Sequence, residues 1–173
     1  MSERFRIRGL HARDAEALWR LDQVLVEDGR GMVMGPGDLP QTLADKEAQV
    51  HAQIADAFAY TIVGMHRETG ALAGYAEWSR MRPLKIRHNV VLAMSVLPKF
   101  QGEGLGTQLL RQLVDDARRA EPAITRIELG VIADNARARA LYESAGFQLE
   151  GVRRAFVHDE RGQRDDCLMS LLL

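Results

Sequence analysis

The sequence of 173 residues is long enough for one domain with a hydrophobic core, and its 46% hydrophobic and 27% charged residues are typical of a globular protein. Its net charge of −1 excludes an overall electrostatic attraction to nucleic acid or anionic membranes, and no run of about 18 apolar residues predicts a membrane span. Cys167 is the only cysteine, so an internal disulfide and a cysteine-rich metal site are both excluded.

We therefore expect a single domain over residues 1–173, with neither nucleic acid nor a membrane as a partner. The five histidines are scattered and form no H-x-x-x-H pair, so we expect no metal. The N-terminal segment MSERFRIRGL does not have the pattern of a signal peptide, which predicts a cytoplasmic location.

The first forty residues predict a strand, a helix and a long loop. Phe5 and Ile7 alternate with arginines, as in a half-buried strand. Asp14 is a plausible helix cap, and the helix is expected to end near Gly29. Its predicted apolar face consists of Ala17, Leu18, Leu21, Val24 and Leu25. The segment Glu27–Pro40 holds four glycines and two prolines, so we expect an irregular loop, either functional or a mobile surface connection.

A second helix is predicted from Thr42 or Asp45 to about Ala57. Its sequence offers only weak core contacts, for which we expect Ala44, Ala48, Ile54 and Ala55.

A hairpin and a basic connection follow. Tyr60–His66 and Leu72–Ser79 have the pattern of strands, and the sequence Glu-Thr-Gly at 68–70 predicts the turn between them. Gly74, inside the second strand, indicates a bulge or a close approach of another backbone. We interpret the basic segment Arg80–Asn89 as a solvated face rather than a ligand patch.

The stretch of residues 90–107, VVLAMSVLPKFQGEGLGT, organises the chain. Val90–Val96 is an apolar run with the length of a buried strand, and Pro98 ends it because proline has no N–H for a sheet. Gly102, Gly104 and Gly106 come next, at alternate positions. A helix is predicted behind them, with one apolar face made of Leu105, Leu109, Leu110, Leu113, Val114 and Ala117.

Strand, glycine turn and helix together favour an anion site. The first N–H groups of a helix have no partner within the helix and lie at its positive end, and glycines let a phosphate approach them. We therefore expect a phosphate-bearing ligand between about residues 101 and 107, although a tight connector would use the same glycines. A P-loop would need a lysine that is absent here, and a dinucleotide fingerprint would need a different glycine spacing near the domain start.

The remaining chain predicts alternating strands and one short helix. These elements are a strand at Ile124–Val131, a helix at Ala136–Ser144 capped by Asp134 or Asn135, a strand from Phe147 to about Arg153, a turn at 159–162 and a strand at Asp166–Leu172. The resulting order β-α-α-β-β-β-α-β-α-β-β predicts an α/β mixed sheet with a crossover helix beside the glycine turn.

Two motifs resemble the GNAT superfamily of acetyl-CoA-dependent N-acetyltransferases. Gln101–Gly106 resembles the Q/R-x-x-G-x-G/A pyrophosphate loop of that family, and Val96–Pro98 is similar to the V-x-P that ends its preceding strand. Asn135–Phe147 resembles the family segment N-x-x-A-x-x-L-Y-x-x-x-G-F. Both motifs occur in the family's order, and the resemblance is strongest over residues 90–151.

The resemblance implies a fold, a co-substrate and a reaction. The fold would be a GNAT-like mixed, mostly antiparallel twisted sheet of about seven strands flanked by about four helices. Acetyl-CoA would donate its acetyl group to a primary amine by direct attack in a ternary complex, and a homodimer would be common for the family. The implied cofactor-binding residues are Ser95, Val96, Gln101, Gly102, Glu103, Gly104, Leu105, Gly106, Thr107 and Asn135.

Amine attack on a thioester needs a base for the amine, a donor for the carbonyl oxygen and a proton for the leaving thiolate. Tyr142 matches the family's tyrosine and is protonated at neutral pH, so we expect it to be the acid. Glu77 is a candidate base, but ordered water could replace a dedicated base. Some N-terminus acetylases of the family carry a glutamate where Gly130 stands here, and Glu128, two residues earlier, is expected on the same face of the strand. Glu103 is unfavourable beside a pyrophosphate, so we expect it to point to solvent.

The acceptor is the least constrained part of the sequence. We expect Glu27–Pro40 and Trp78–His88 to line the acceptor side, with acidic residues of the loop drawing a cationic amine. A small-molecule amine is favoured because the sequence shows no long acidic groove for a peptide. The alternatives are a protein N-terminal or lysine acetyltransferase, a non-catalytic acyl-CoA-binding module and, more remotely, a nucleotide-binding fold.

Overall fold

A seven-stranded sheet organises the structure, a computed structural model that describes residues 4–173. The strands are β1 (Phe5–Gly9), β2 (Ala59–His66), β3 (Leu72–Arg80), β4 (Asn89–Val96), β5 (Arg126–Ile132), β6 (Gln148–Asp159) and β7 (Gly162–Leu172). Their spatial order is β1-β2-β3-β4-β5-β7-β6, and neighbouring strands are antiparallel except for the parallel pair β4 and β5. The predicted mixed, mostly antiparallel sheet is confirmed.

Four α-helices flank this sheet: α1 (Ala15–Asp28), α2 (Leu43–Ala55), α3 (Leu105–Arg118) and α4 (Ala136–Ser144). Gln53 of α2 donates a hydrogen bond to Glu77 of β3. Tyr60 of β2 donates one of 3.2 Å to Asp116 of α3. Tyr60 is paired with Trp78, the strand neighbour of Glu77, so α2 and α3 lie on opposite faces of the sheet. The predicted order of strands and helices is confirmed.

The predicted apolar face of α3 is confirmed, and it forms the centre of the core. All six of its apolar residues are buried: Leu105, Leu109, Leu110, Leu113, Val114 and Ala117. The close approach expected at Gly74 is also confirmed, because a Cβ atom there would lie 2.6 Å from the carbonyl oxygen of Ser95 on β4.

The predicted core face of α2 is wrong. Its expected contacts Ala44, Ala48, Ile54 and Ala55 are exposed. The helix instead buries Val50 together with Lys46, whose ammonium lies 2.7 Å from the carboxylate of Asp22 on α1. A buried charge is tolerated when it is paired, so this face combines one apolar residue with a charged one, and the apolar pattern of the sequence could not reveal it.

Two further predictions need correction. On α1 the structure buries Leu18, Leu21 and Leu25 as expected, but Ala17 and Val24 are exposed and Ala15 and Asp22 are buried instead. In the basic segment Arg80–Asn89, the first residue, Arg80 at the end of β3, is buried rather than solvated. Its guanidinium lies 5.7 Å from the Trp78 ring centroid and donates to the carbonyls of Arg87 and Pro122.

The hairpin of β6 and β7 extends beyond the predicted strands. Its pairing is interrupted between Arg153 and Val157, where Ala155 adopts a φ of 52°. The sequence prediction ended the first strand at this break, but pairing resumes beyond it as far as Asp159 and Gly162. No helix within residues 4–173 is long and apolar enough to cross a membrane.

Candidate active site

The sheet opens between its two parallel strands. β4 and β5 are paired only at Asn89–Arg126, Val90–Ile127 and Val91–Glu128 within the described chain. Beyond Val91 the two strands diverge, which leaves the edge of β4 from Leu92 to Val96 without a strand partner on that side. Backbone N–H and C=O groups freed in this way are available to a ligand.

A cleft of about 670 Å³ occupies this opening, a volume within the range of about 300–1,000 Å³ common for ligand sites. Most of the residues that the sequence nominated line it: Ser95, Val96, Gln101, Gly102, Gly104, Gly106, Thr107, Asn135 and Tyr142. Leu25 and Met32 contribute from the side of α1, whereas Leu141 contributes from α4. The cleft is therefore bordered by elements from both faces of the sheet.

The glycine turn at one end of the cleft has the backbone of an anion site. Gly102 and Gly104 both have a φ of 85°, a left-handed conformation that favours glycine. A Cβ atom at Gly104 would meet nothing closer than the Gln108 side-chain nitrogen at 3.9 Å, so the space above the turn is open. Gly104 is the N-cap of α3, and the amides that follow it lie at the positive end of that 14-residue helix.

Arg137 adds a positive charge to this turn, and the sequence analysis missed it. Its Nη2 would lie 3.5 Å from a Cβ atom at Gly102, and its Nη1 lies 3.4 Å from Oε1 of Gln101. Gln101 in turn donates a 3.0 Å hydrogen bond to the carbonyl of Val96, which ties the turn to the end of β4. Arg137 is 36 residues from Gln101, so only the fold brings the two together.

Two nominated residues point away from the cleft. Leu105 is 1% exposed and packs against Gly64 in the core. Glu103, which was expected to point to solvent, is only partly exposed and lies 2.9 Å from Arg4 Nη1. That ion pair explains how a carboxylate is accommodated in the glycine turn without facing an anion.

Asn135 and Tyr142 reach the cleft from α4. The Asn135 side chain accepts a 3.1 Å hydrogen bond from the amide of Ala138 and thereby caps the helix. Its amide nitrogen also lies against Gly31 of the loop after α1, where a Cβ atom would be only 2.7 Å away. Tyr142 is 7% exposed, and burial raises the pKa of its phenol to about 12. The phenol therefore keeps its proton at neutral pH.

Glu77 lies in a separate cavity of about 390 Å³, between the sheet and α1 and α2. It accepts a hydrogen bond from Gln53 and one of 3.4 Å from the Thr61 hydroxyl. Burial raises the pKa of its carboxyl, and these hydrogen bonds only partly oppose that effect. Glu77 is therefore partly buried and hydrogen bonded rather than exposed on the surface of its strand.

Tyr75 stands between the cavity and the cleft. It is the strand partner of Ser95, so their side chains share one face of the sheet. Burial raises the pKa of the Tyr75 phenol, the nearby carboxylates of Asp22 and Glu77 raise it further, and a hydrogen bond with Ser95 opposes them. The Ser95 side chain lines the cleft and Tyr75 lines the cavity, so the two spaces are neighbours.

The alternative positions for a base on β5 are occupied by structural contacts. A Cβ atom at Gly130 would lie 2.7 Å from Nη2 of Arg153 and 3.1 Å from the carboxylate of Asp166. Glu128 lies 3.2 Å from Arg126. Neither position therefore presents a free carboxylate to the cleft.

The two segments expected on the acceptor side behave differently. From the loop after α1, Met34, Leu39 and Pro40 line the cavity that contains Glu77. From residues 78–88, only Ser79 does so among the described residues, because Trp78 and Arg80 lie on the opposite face of β3.

Comparison with known proteins identifies the family. A model of the acetyltransferase (GNAT) family matches residues 35–147, more than half of the chain. The chain is 41% identical over 90 residues to the N-alpha-acetyltransferase RimI of Mycobacterium tuberculosis, covering 52% of this chain and 54% of that protein. It is 36% identical over 81 residues to the L-methionine sulfoximine/L-methionine sulfone acetyltransferase of Salmonella typhimurium, covering 46% of each. The matches thus span about half the length of these curated relatives.

The fold agrees with this assignment over nearly the whole chain. The GNAT superfamily phosphinothricin acetyltransferase of Sinorhizobium meliloti, solved in complex with acetyl-CoA, superposes with a TM-score of 0.85 at 21% identity. The superposition covers 99% of this chain and 89% of that one. The chain belongs to the acetyltransferase (GNAT) family, a family of acetyl-CoA-dependent N-acetyltransferases.

Proposed function

We propose that the protein is an acetyl-CoA-dependent N-acetyltransferase that acts on the primary amine of a small molecule. The observation that carries this proposal is the cleft at the divergence of β4 and β5, which joins the glycine turn, Asn135 and Tyr142 in one space. Acetyl-CoA offers a diphosphate for one end of such a cleft and a thioester for the other.

The chain's own residues fit this co-substrate. Gly102 and Gly104 leave open space at the head of α3, and Arg137 supplies a cation beside them. We assign the diphosphate to this end because backbone amides, a helix N-terminus and a guanidinium all favour an anion. The unpaired edge of β4 would hold the pantetheine arm through backbone hydrogen bonds, with Ser95 and Val96 nearest to it.

The proposed reaction needs few catalytic groups. The amine nitrogen forms a bond to the thioester carbonyl carbon, the carbon–sulfur bond breaks, and N-acetylamine and the free thiol of coenzyme A are the products. Glu77 takes the proton that the amine gives up, directly or through water, and Tyr142 gives a proton to the departing sulfur. A β4 backbone N–H stabilises the carbonyl oxygen as its negative charge develops.

A broad panel of primary amines with acetyl-CoA tests this function. We expect thiol release that depends on an added amine, together with an acetyl mass increase on that amine. Calorimetry should show that coenzyme A binds and that ATP and NAD do not. Binding of coenzyme A without turnover on any amine would instead support an acyl-CoA-binding module.

A second candidate acceptor is a protein N-terminus, which is favoured by the 41% identity to an N-alpha-acetyltransferase. The position where some such enzymes of the family carry a glutamate is Gly130 here, and Arg153 and Asp166 fill the space beside it. That difference supports the small-molecule proposal. Acetylation of peptides with free N-termini, at rates above those of every small amine, would reverse it.

A further inference from the structure

We propose that the cavity between the sheet and α1 and α2 is the acceptor site. Its ligand is a small aliphatic primary amine that carries no carboxylate group and binds as the ammonium cation. This inference rests on the proposed function. It concerns the acceptor rather than acetyl-CoA, so the two can fail separately.

The position of the cavity is the first support. Tyr75 lines the cavity and is the strand partner of Ser95, which lines the cleft. An amine seated beside Tyr75 and Glu77 would therefore lie next to the unpaired edge of β4. Residues of this cavity come from α1, α2, β2, β3 and the loop between the first two helices, so the site is built from elements held by the sheet.

The charges around the cavity are the second support. Three carboxylates line it, and two of them already have a cation: Asp22 lies 2.7 Å from Lys46, and Asp56 lies 2.9 Å from Arg82. Glu77 is the exception, because its hydrogen-bond partners Gln53 and Thr61 are neutral. Lys46 also acts on Glu77 but is already paired with Asp22, so ionised Glu77 leaves the three carboxylates with one cation too few, and an ammonium ion would supply it.

The size and polarity of the cavity restrict the class of ligand further. The volume of about 390 Å³ is near the lower end of the range of about 300–1,000 Å³ for ligand sites, which favours a small molecule. Leu18, Met34, Leu39 and Pro40 give the cavity an apolar wall. This wall suits the hydrocarbon part of an aliphatic amine, whereas an α-amino acid would bring a carboxylate close to Glu77 and be repelled.

The inference is tested with leucine and its decarboxylated counterpart 3-methylbutylamine, which differ only in the carboxylate. With acetyl-CoA saturating, we expect kcat/KM for 3-methylbutylamine to exceed that for leucine by about tenfold or more, because like charges disfavour leucine. Equal or better use of leucine would overturn the proposed acceptor class.

A cavity-blocking variant tests the location. Ala52 lines the cavity from an exposed position on α2, so Ala52→Phe should fill space with little effect on folding. We expect it to raise the KM for 3-methylbutylamine about tenfold or more and to leave the KM for acetyl-CoA unchanged. Ala55→Phe, exposed on the same helix but outside the cavity, is the matched control and should behave as wild type. Equal amine KM values for Ala52→Phe and wild type would refute the location.

Direct calorimetry separates this inference from the proposed function. We expect 3-methylbutylamine to bind the protein, with binding lost in Ala52→Phe and in Glu77→Gln. If coenzyme A binds and 3-methylbutylamine neither binds nor is acetylated, the acceptor inference fails alone. If coenzyme A does not bind, the proposed function fails, whatever the amine does.

Discussion

The environment of Tyr142 suits a proton donor better than a base. Its phenol is buried in the wall of the cleft, and burial raises its pKa to about 12. A group with this pKa is fully protonated at pH 7 and can donate to a thiolate as the sulfur leaves. Because a thiolate is a moderate leaving group, the rate enhancement from proton donation by Tyr142 should be at the lower end of the range for general acid catalysis.

Tyr142→Phe should therefore lower kcat by about 10²-fold, with little change in the affinity for coenzyme A. Steady-state kinetics and calorimetry measure the two quantities. Tyr60→Phe is a suitable control, because the Tyr60 hydroxyl bonds to Asp116 of α3 and does not line the cleft. An unchanged kcat for Tyr142→Phe would remove this residue from the mechanism.

The raised pKa of Glu77 predicts how the activity depends on pH. Burial raises the pKa of its carboxyl above the usual value of 4.5, and only the deprotonated form can accept a proton from the amine. Activity should therefore fall as the pH is lowered through this raised pKa, so the acidic limb of kcat/KM should lie above pH 4.5. Glu77→Gln should lower kcat/KM by about 10²-fold and remove this limb. A limb that persists unchanged in the variant would assign the titration to another group.

At the scale of the elements, the contact between β3 and β4 depends on Gly74. A Cβ atom there would lie 2.6 Å from the Ser95 carbonyl oxygen and 3.1 Å from the Val96 Cα atom, and backbone atoms cannot turn aside as side chains can. Gly74→Ala should destabilise the fold by about 1–3 kcal/mol in urea unfolding. Gly9→Ala, in β1 with no atom within 4 Å of the new Cβ, is the control. Equal stability of the two variants would contradict this account of Gly74.

The contact between α1 and α2 depends on a buried ion pair. The side chains of Lys46 and Asp22 are 9% and 10% exposed, and Lys46 also donates to Gln49. Lys46→Met should cost about 3–5 kcal/mol of stability, because it leaves the Asp22 carboxylate buried without a cation. The double variant with Asp22→Leu should recover most of that loss. A loss of less than about 1 kcal/mol for the single variant would show that water solvates Asp22.

Helices α3 and α2 show what the sequence could predict and what it could not. The apolar face of α3 was identified residue by residue, because six apolar side chains at helical spacing leave one orientation. The buried face of α2 was missed, because Lys46 and Gln53 are polar and their partners Asp22 and Glu77 are each 24 residues away. A polar face is recognisable as buried only when its partners are known, and the fold supplies them.

The same contrast applies to the candidate site as a whole. The cleft could be nominated from sequence because the glycine turn and the segment from Asn135 to Tyr142 are short contiguous motifs. Arg137 and Gly31 were missed there because their positions depend on how distant segments meet. The proposed acceptor cavity combines residues of α1, α2, β2 and β3 without any motif, so the sequence indicated its loop but not its shape or charge.

At the scale of the whole molecule, the proposed function depends on one departure from regular strand pairing. β4 and β5 are the only parallel neighbours in the described sheet, and they separate after Val91 and Glu128. This separation opens a passage bordered by both faces, with the proposed anion site at the head of α3 and the proposed acceptor cavity against α1 and α2. Donor and acceptor would therefore approach the same edge of β4 from different sides.

A crystal structure of the protein with coenzyme A tests this arrangement most directly. We predict that the diphosphate lies within hydrogen-bond distance of backbone amides between Gly102 and Thr107, and that the thiol lies between Ser95 and Tyr142. Coenzyme A bound at any other surface, with this cleft free of it, would contradict the account.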